Sequence, residues 1–582
     1  MTEVRIRTER IDDIPLLMHQ QQEMGIPEVL DEVAQLHGNR KGLSVGWVTT
    51  TWLSFIVSEA DHRMSEVEPW AEQQIETLSA LLPEPVRAKD FTDDRLADIL
   101  RWLSDDDVWE TVEARLGQRL IRVYDLKREV VRLDSTTVAV YHDTEGNTLF
   151  RRGCSKDHRP DLPQFKVMLG TLDPLGMPLA TLVVAGNETD DGLYVPTIAR
   201  TRRVVGKGGC LYIGDVKMSA LATRAFVQAG GDYYLTPLAR SGKVPELLTG
   251  WLEPVWNKKQ PLQRIYAPTV GGADGKETVA RKKLLAVGYE TTRSQKAQVD
   301  GQLKTWEERL LVVYSPSLAK RARKGLARRL EREERTLLAL TPPRGRGRRQ
   351  WEDLGALQAA AKAILKKRRV EGLLEVSYTR EVERRTIRKY QDRPERTEER
   401  VRHVIQVKRN GKAITAARRS LGWRVYVTNA PTEELSLAEA VPAYRGAPRI
   451  ERDFHRLKGH PLGIRPLYVQ REDHARGMVR LLSLALRVLT LVEYVVRERL
   501  QATGEALRGL YAGNPKRQTA RPTTERLLKA FRGITLTVVR LPDQTIRHVT
   551  PLSSLQRRIL VLLGLPVSIY GALALLVDPI PP

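Results

Sequence analysis

Near Glu129 the apolar residues of this chain change their period, and the change restricts what its middle can fold into. Upstream, residues 29–36, 45–56, 71–82 and 96–103 repeat apolar side chains at the spacing of a helix face, with Pro83-Glu84-Pro85 marking a turn. Downstream, 130–141, 164–172 and 179–185 alternate in period two or run β-branched, joined by turn-rich segments such as Asp143-Thr-Glu-Gly-Asn147 and Asp173-Pro-Leu-Gly176. Three strands linked in this way predict an antiparallel meander. A strand at 210–213, a helix over 219–229 stopped by Gly230-Gly231, and a strand at 233–238 add a parallel crossover. The expected class is α/β.

At 582 residues, the chain divides into five regions: an acidic helical N-terminal domain over 1–125, a first core part over 126–240, a basic insertion over 241–420, a second core part over 421–500 and a helical region over 501–582. Within the insertion, His403–Lys408, Asn410-Gly411 and 413–417 read as a hairpin with a two-residue turn. A strand is expected at 423–428, a helix from Pro448 to Gly459, and a long amphipathic helix over 475–500 that covers one sheet face. The last 80 residues read as helical with one strand-like piece at 535–541.

Charge narrows the partner. The formal net charge is +24, yet residues 1–120 hold 12 Lys/Arg against 24 Asp/Glu, so the positive excess lies downstream. Residues 316–350 alone carry 12 Lys/Arg against three acids, including Arg344-Gly-Arg-Gly-Arg-Arg349, and Lys366-Lys-Arg-Arg369 follows. Such an excess points to a polyanion, nucleic acid first.

Cys154 and Cys210 stand in no metal-ligand spacing, which argues against zinc and fits a reducing compartment. The first ten residues have no apolar signal core, so a cytoplasmic protein is expected. Residues 559–577 are uncharged, but Gly564, Pro566, Ser568 and Gly571 interrupt them; two short helices around a Leu-Pro turn are expected rather than a membrane span.

Three carboxylates stand out against this background. Asp134 lies within a strand-like run, where an acid is costly to bury unless paired or bound to metal. Asp215 lies just past a strand's carboxyl end, where ligands of α/β sheets gather. Glu451, His455 and Lys458 share one helix face beside the apolar stripe of Ile450, Phe454 and Leu457. Each has a plain alternative: an edge-strand acid, a helix cap, an exposed salt-bridged helix. Asp190 and Asp191 sit in a turn-rich loop and are read as surface residues, and His455 as solvent-facing.

From Tyr444 to Lys458 the sequence resembles the DDE transposases of bacterial insertion sequences, in the group with a large insertion between the second Asp and the Glu. That group's signature is Tyr, two residues, Arg, three residues, Glu, six residues, Lys; Tyr444, Glu451 and Lys458 match, while Ala447 stands at the Arg position. Gly214-Asp-Val-Lys-Met218, Tyr233-Tyr-Leu-Thr-Pro-Leu238 and Ile464-Arg-Pro-Leu-Tyr468 also look like this family. The resemblance spans roughly 125–500.

It implies a ribonuclease H-like catalytic core carrying a large, mostly β insertion and flanking helical regions. It further implies that Asp134, Asp215 and Glu451 hold two Mg²⁺ ions, with Mn²⁺ as a substitute, for in-line displacement at a phosphodiester. Tyr444 and Lys458 would contact phosphates, with Arg445, Arg449 and Arg452 as further DNA-binding residues. The expected partners are the DNA ends of the element and its target, bound by a homodimer in the synaptic complex at the bacterial nucleoid, with no membrane involved. The alternatives are a transposase-derived DNA-binding protein without catalysis, or a two-metal nuclease without strand transfer.

Overall fold

Val130–Ala139 (β1) is buried along nearly its whole length, and apart from Arg132 and Asp134 its side chains are apolar or small, so it lies inside a sheet covered on both sides. Eight further strands join it: β2 (Gln164–Leu172), β3 (Met177–Ala185), β4 (Leu211–Gly214), β5 (Tyr233–Pro237), β6 (Gln263–Tyr266), β7 (Leu284–Val299), β8 (Gln302–Tyr314) and β9 (Trp423–Thr428). In space they run β3-β2-β1-β4-β5-β9-β8-β7-β6. The meander β1-β2-β3 is antiparallel, β4 pairs parallel with β1, and β5 parallel with β4. From β5 outward every pairing is antiparallel. The computed structural model describes residues 4–34, 42–143, 145–206, 208–240, 242, 244–267, 283–343, 345, 350–388 and 394–575; of the arginine run, Arg344 and 346–349 lie outside them.

The expected meander and crossover are therefore present, and the insertion is tied to the core more closely than its composition suggested. Its strands β6, β7 and β8 extend the central sheet through β9. Four helices accompany its strands: Val244–Trp256, Pro316–Leu338, Leu354–Arg368 and Gly411–Arg419. The last replaces the expected tight hairpin. Asn410 is not a turn residue here; its side chain accepts from the Ala413 amide at 2.9 Å and caps a helix. The real hairpin pairs Leu374–Ile387 with Arg396–Arg409, and its base packs Leu374 and Ile405 against Leu326, Leu330 and Leu357 in a small separate core.

The N-terminal region shares the main core, which runs without interruption from Ile11 through the sheet to Leu573. Helix Glu472–Thr503 passes through its middle, packed on β3 and on helix Asp93–Ser104, and is buried on nearly every face rather than along one stripe. Arg5–Arg10 forms a strand that the sequence pattern did not announce, paired with Thr535–Arg540, which in turn pairs with Thr545–Val549. Only Ile6 in it is apolar; backbone pairing and the buried Glu9 carboxylate, which accepts from the Glu76 and Thr77 amides, hold it in place. Helices Ser554–Leu563 and Ser568–Leu575 meet at 109° around the Leu565-Pro566 turn and bury Ile559, Leu560, Tyr570 and Leu573. Among the described residues no single helix is long and apolar enough to cross a membrane.

Candidate active site

The parallel register of β1 and β4 pairs Leu133 with Gly214, so the next residues, Asp134 and Asp215, emerge side by side at strand spacing, about 4.8 Å between the two chains. Asp215 follows the last residue of β4 and caps a short 3-10 turn, where its carboxylate accepts from the Lys217 amide at 2.8 Å. Gly214 admits the ring of Tyr194: a Cβ there would stand 3.0 Å from Tyr194 Cε1 and 2.6 Å from Met218 Sδ. The Tyr194 hydroxyl donates to Asp215 Oδ1 at 2.6 Å, and burial together with that carboxylate holds the phenol well above its ordinary range. Thr236 Oγ1 on β5 donates to the Asp215 carbonyl at 2.6 Å.

Glu451 comes from the first turn of helix Pro448–Lys458, which packs against β1. Ile450, Phe454 and Leu457 bury the inner face of this helix, leaving Glu451 and His455 exposed. Asp173, in the β2-β3 turn, fixes the helix to β1: its Oδ2 accepts from Arg132 of β1 at 2.7 Å and from Arg449 of the helix at 2.8 Å. On the far side, Arg452 and Arg456 reach Glu493 on the long buried helix at 2.7 and 2.5 Å.

The three acids share one field. Burial pushes the Asp134 carboxyl up to about 6, with Asp215 and Glu451 raising it further against the pull of Lys156 and the Ser135 amide. Lys156 Nζ is bound to the Ser135 carbonyl at 2.6 Å, and lies 3.9 Å from Asp134 Oδ1 and 3.4 Å from Asp190 Oδ2. Asp190 is thus no surface turn residue. Burial opposes its ionisation, but the hydrogen bond from Lys166 and the charge of Lys156 outweigh burial and keep it below the usual carboxylate range. Asp191 stays exposed, 3.3 Å from Lys217 Nζ.

The remaining expected residues divide. The Tyr444 ring packs tilted against Tyr426 with centroids 4.8 Å apart, and burial pushes its hydroxyl up to about 12, so it remains a donor near Asp215 and Asp134. Lys458 Nζ donates to Asp157 at 2.9 Å, and burial lowers its proton affinity. Arg445 turns into the sheet, bonding the Leu285 carbonyl at 3.1 Å and Ser315 Oγ at 2.9 Å. Arg445, Arg449 and Arg452 therefore each have an intramolecular partner. Lys156 and Asp157 from a loop, Asp190 from a short 3-10 turn and Tyr194 from the start of helix Tyr194–Val205 join the site, none of them adjacent in sequence to the three acids.

For a hard divalent cation the donor chemistry fits: three carboxylates, with no His or Cys among them, two of which, Asp215 and Glu451, add to the rise in the proton affinity of Asp134. Among the described residues, no three acidic, His or Cys side chains stand close enough together to hold an ion as they are. Of the three, Glu451 is the one exposed to solvent.

The family described as transposase DDE domain matches residues 125–488, a span that contains all three acids, Tyr444 and Lys458. No curated protein matches the sequence. A cryo-EM structure of the piggyBac transposase synaptic complex with hairpin DNA is similar over 90% of this chain and 81% of that one, at 7% identity and a TM-score of 0.35.

Proposed function

This chain belongs to the DDE transposase family, and we propose that it cuts the ends of its own mobile element and joins them to target DNA at Asp134, Asp215 and Glu451. One observation carries the assignment of residues: the β1-β4 register sets Asp134 beside Asp215, and the Arg132-Asp173-Arg449 bracket holds the Glu451 helix against the same strand. The order β3-β2-β1-β4-β5, with only β2 reversed among the central three, supports a ribonuclease H-like core. In the same reading the protein acts as a dimer that pairs two DNA ends.

The three carboxylates would hold Mg²⁺ or Mn²⁺, which supplies acidification of the attacking hydroxyl and stabilisation of the leaving oxygen. The chain's own groups prepare that site. Tyr194 and the Lys217 amide fix the Asp215 carboxylate, so it enters the reaction already oriented. Lys156 tethers Asp134 to Asp190, and its charge favours the ionised form of Asp134. Tyr444 offers a hydroxyl donor and Lys458 a cation to the phosphates that flank the reacting one.

The test uses a labelled duplex carrying the DNA that flanks the coding region, a target plasmid and Mg²⁺. The wild-type protein is expected to cut the duplex and join it to the plasmid, and Asp134→Ala, Asp215→Ala and Glu451→Ala to bind DNA without cutting. Cutting without joining would reduce the reading to a nuclease. Full cleavage by any of the three variants would sink the residue assignment.

A further inference from the structure

At the position where the resemblance expects a phosphate-binding arginine, Ala447 begins the Glu451 helix, and its neighbours Arg445 and Arg449 are committed to Ser315 and Asp173. On the other side of Asp215 lies a cleft of about 470 Å³ whose lining includes Asp215, Arg240, Leu318, Trp423, Arg424 and Tyr444. Arg240 follows β5 and bonds the Trp423 carbonyl; Arg424 projects from β9 beside the Tyr426 hydroxyl. The two guanidiniums are close enough that, after burial, Arg424 is the second cause lowering the proton affinity of Arg240. Among the described residues, Asp215 is the only acid lining the cleft.

Two like charges held together beside a half-buried wall repel, and the repulsion is relieved when an anion lies between them. The surroundings identify the anion. Leu318 and Ala322, on the first turns of helix Pro316–Leu338, form one wall. From there the exposed side chains of Lys320, Arg321, Arg323, Lys324 and Arg328 lead away along the helix, with no acid before Glu331. None of these five has an ion-pair partner among the described residues, unlike Arg332 and Arg335 farther on. A single point anion would not need such a row. A polymer of phosphates does, because each neutralised phosphate adds its own increment of affinity.

We propose that Arg240 and Arg424 clamp a backbone phosphate of the DNA end next to the bond that is cut, and that the cation row of helix Pro316–Leu338 carries the adjoining duplex. The proposal rests on the transposase reading and specifies where the DNA enters the site. Tyr444, between this cleft and the acids, faces both.

The test measures binding of a labelled duplex in Ca²⁺ buffer across a salt series, with Arg240→Gln and Arg424→Gln. Glutamine keeps a hydrogen-bond donor for the Trp423 carbonyl and the Tyr426 hydroxyl, and thermal melts report whether the fold survives. The slope of log affinity against log salt is expected to become shallower by about 1 in each single variant and by about 2 in the double variant. Arg424→Lys, which restores the charge, should recover most of its share. Arg101→Gln, on the solvent face of helix Asp93–Ser104 where Arg101 pairs with Asp98, should leave the slope unchanged. A wild-type slope in the double variant, with wild-type cleavage, overturns this proposal and leaves the transposase reading standing. Absence of any duplex binding by the wild-type protein overturns both.

Discussion

Helix Glu472–Thr503 and the acid site on the central sheet both gather several ionisable groups, but only the first, which buries them, neutralises them from within. Around the helix, Glu493 is met by Arg452, Arg456 and Arg497, and Arg456 also reaches Glu525. On the sheet, Asp134 lies in the field of Asp215 and Glu451, with Lys156 Nζ 3.9 Å from its carboxylate. Where the charges cancel, they fix elements in place. Where they do not cancel, we propose that a partner brings the missing charge, a cation at the acids and, with the opposite sign, a phosphate at the guanidiniums of the neighbouring cleft.

Four variants sharpen or break this contrast, in falling order of expected effect. Glu493→Ala leaves Arg456 buried with only Glu525, and should destabilise the protein by about 3–5 kcal/mol in urea denaturation. A loss below 1 kcal/mol would mean that this cluster is not structural.

Asp134→Asn should act in the other direction. The folded carboxyl lies at about 6, above its ordinary value of 3.8, so its favourable contribution is complete below pH 4 and is lost as pH rises through 6. The variant should match the wild type at pH 4 and exceed it at pH 8 in EDTA, by about 2 kcal/mol after allowing for partial exposure. Equal stability at both pH values would remove the strain assigned to the trio.

Lys458→Ala removes a cation that is itself tied to Asp157, and should slow cleavage about tenfold while leaving the melting temperature nearly unchanged. Glu399→Gln, which breaks the exposed 2.7 Å pair with Arg384 on the long hairpin, should shift stability by no more than about 0.5 kcal/mol. That variant gives the baseline for a charge pair that neither orders the fold nor serves the site.

The strands of the meander could be read from the sequence because their period and β-branched content are local properties, and the Glu451 helix because its apolar stripe is local too. What escaped depends on partners distant in the chain. Arg452 looks like a surface cation until Glu493 is brought beneath it, and Lys156 and Tyr194 carry no mark of the acids they serve. Arg5–Arg10 has no apolar period at all, since its strand is made by pairing with residues near the other end of the chain. Asn410-Gly411 was misread for another reason: an Asn side chain that suits a tight turn equally suits a helix cap, and only the following residues decide.

The claim that the unneutralised acids exist to hold divalent metal is tested most directly by titrating Mn²⁺ into metal-stripped protein bound to a DNA duplex and counting the ions by electron paramagnetic resonance. Wild-type protein should take up ions that the combined variant Asp134→Asn, Asp215→Asn, Glu451→Gln does not. Equal Mn²⁺ uptake by the two proteins, with both folded and bound to DNA, would contradict it.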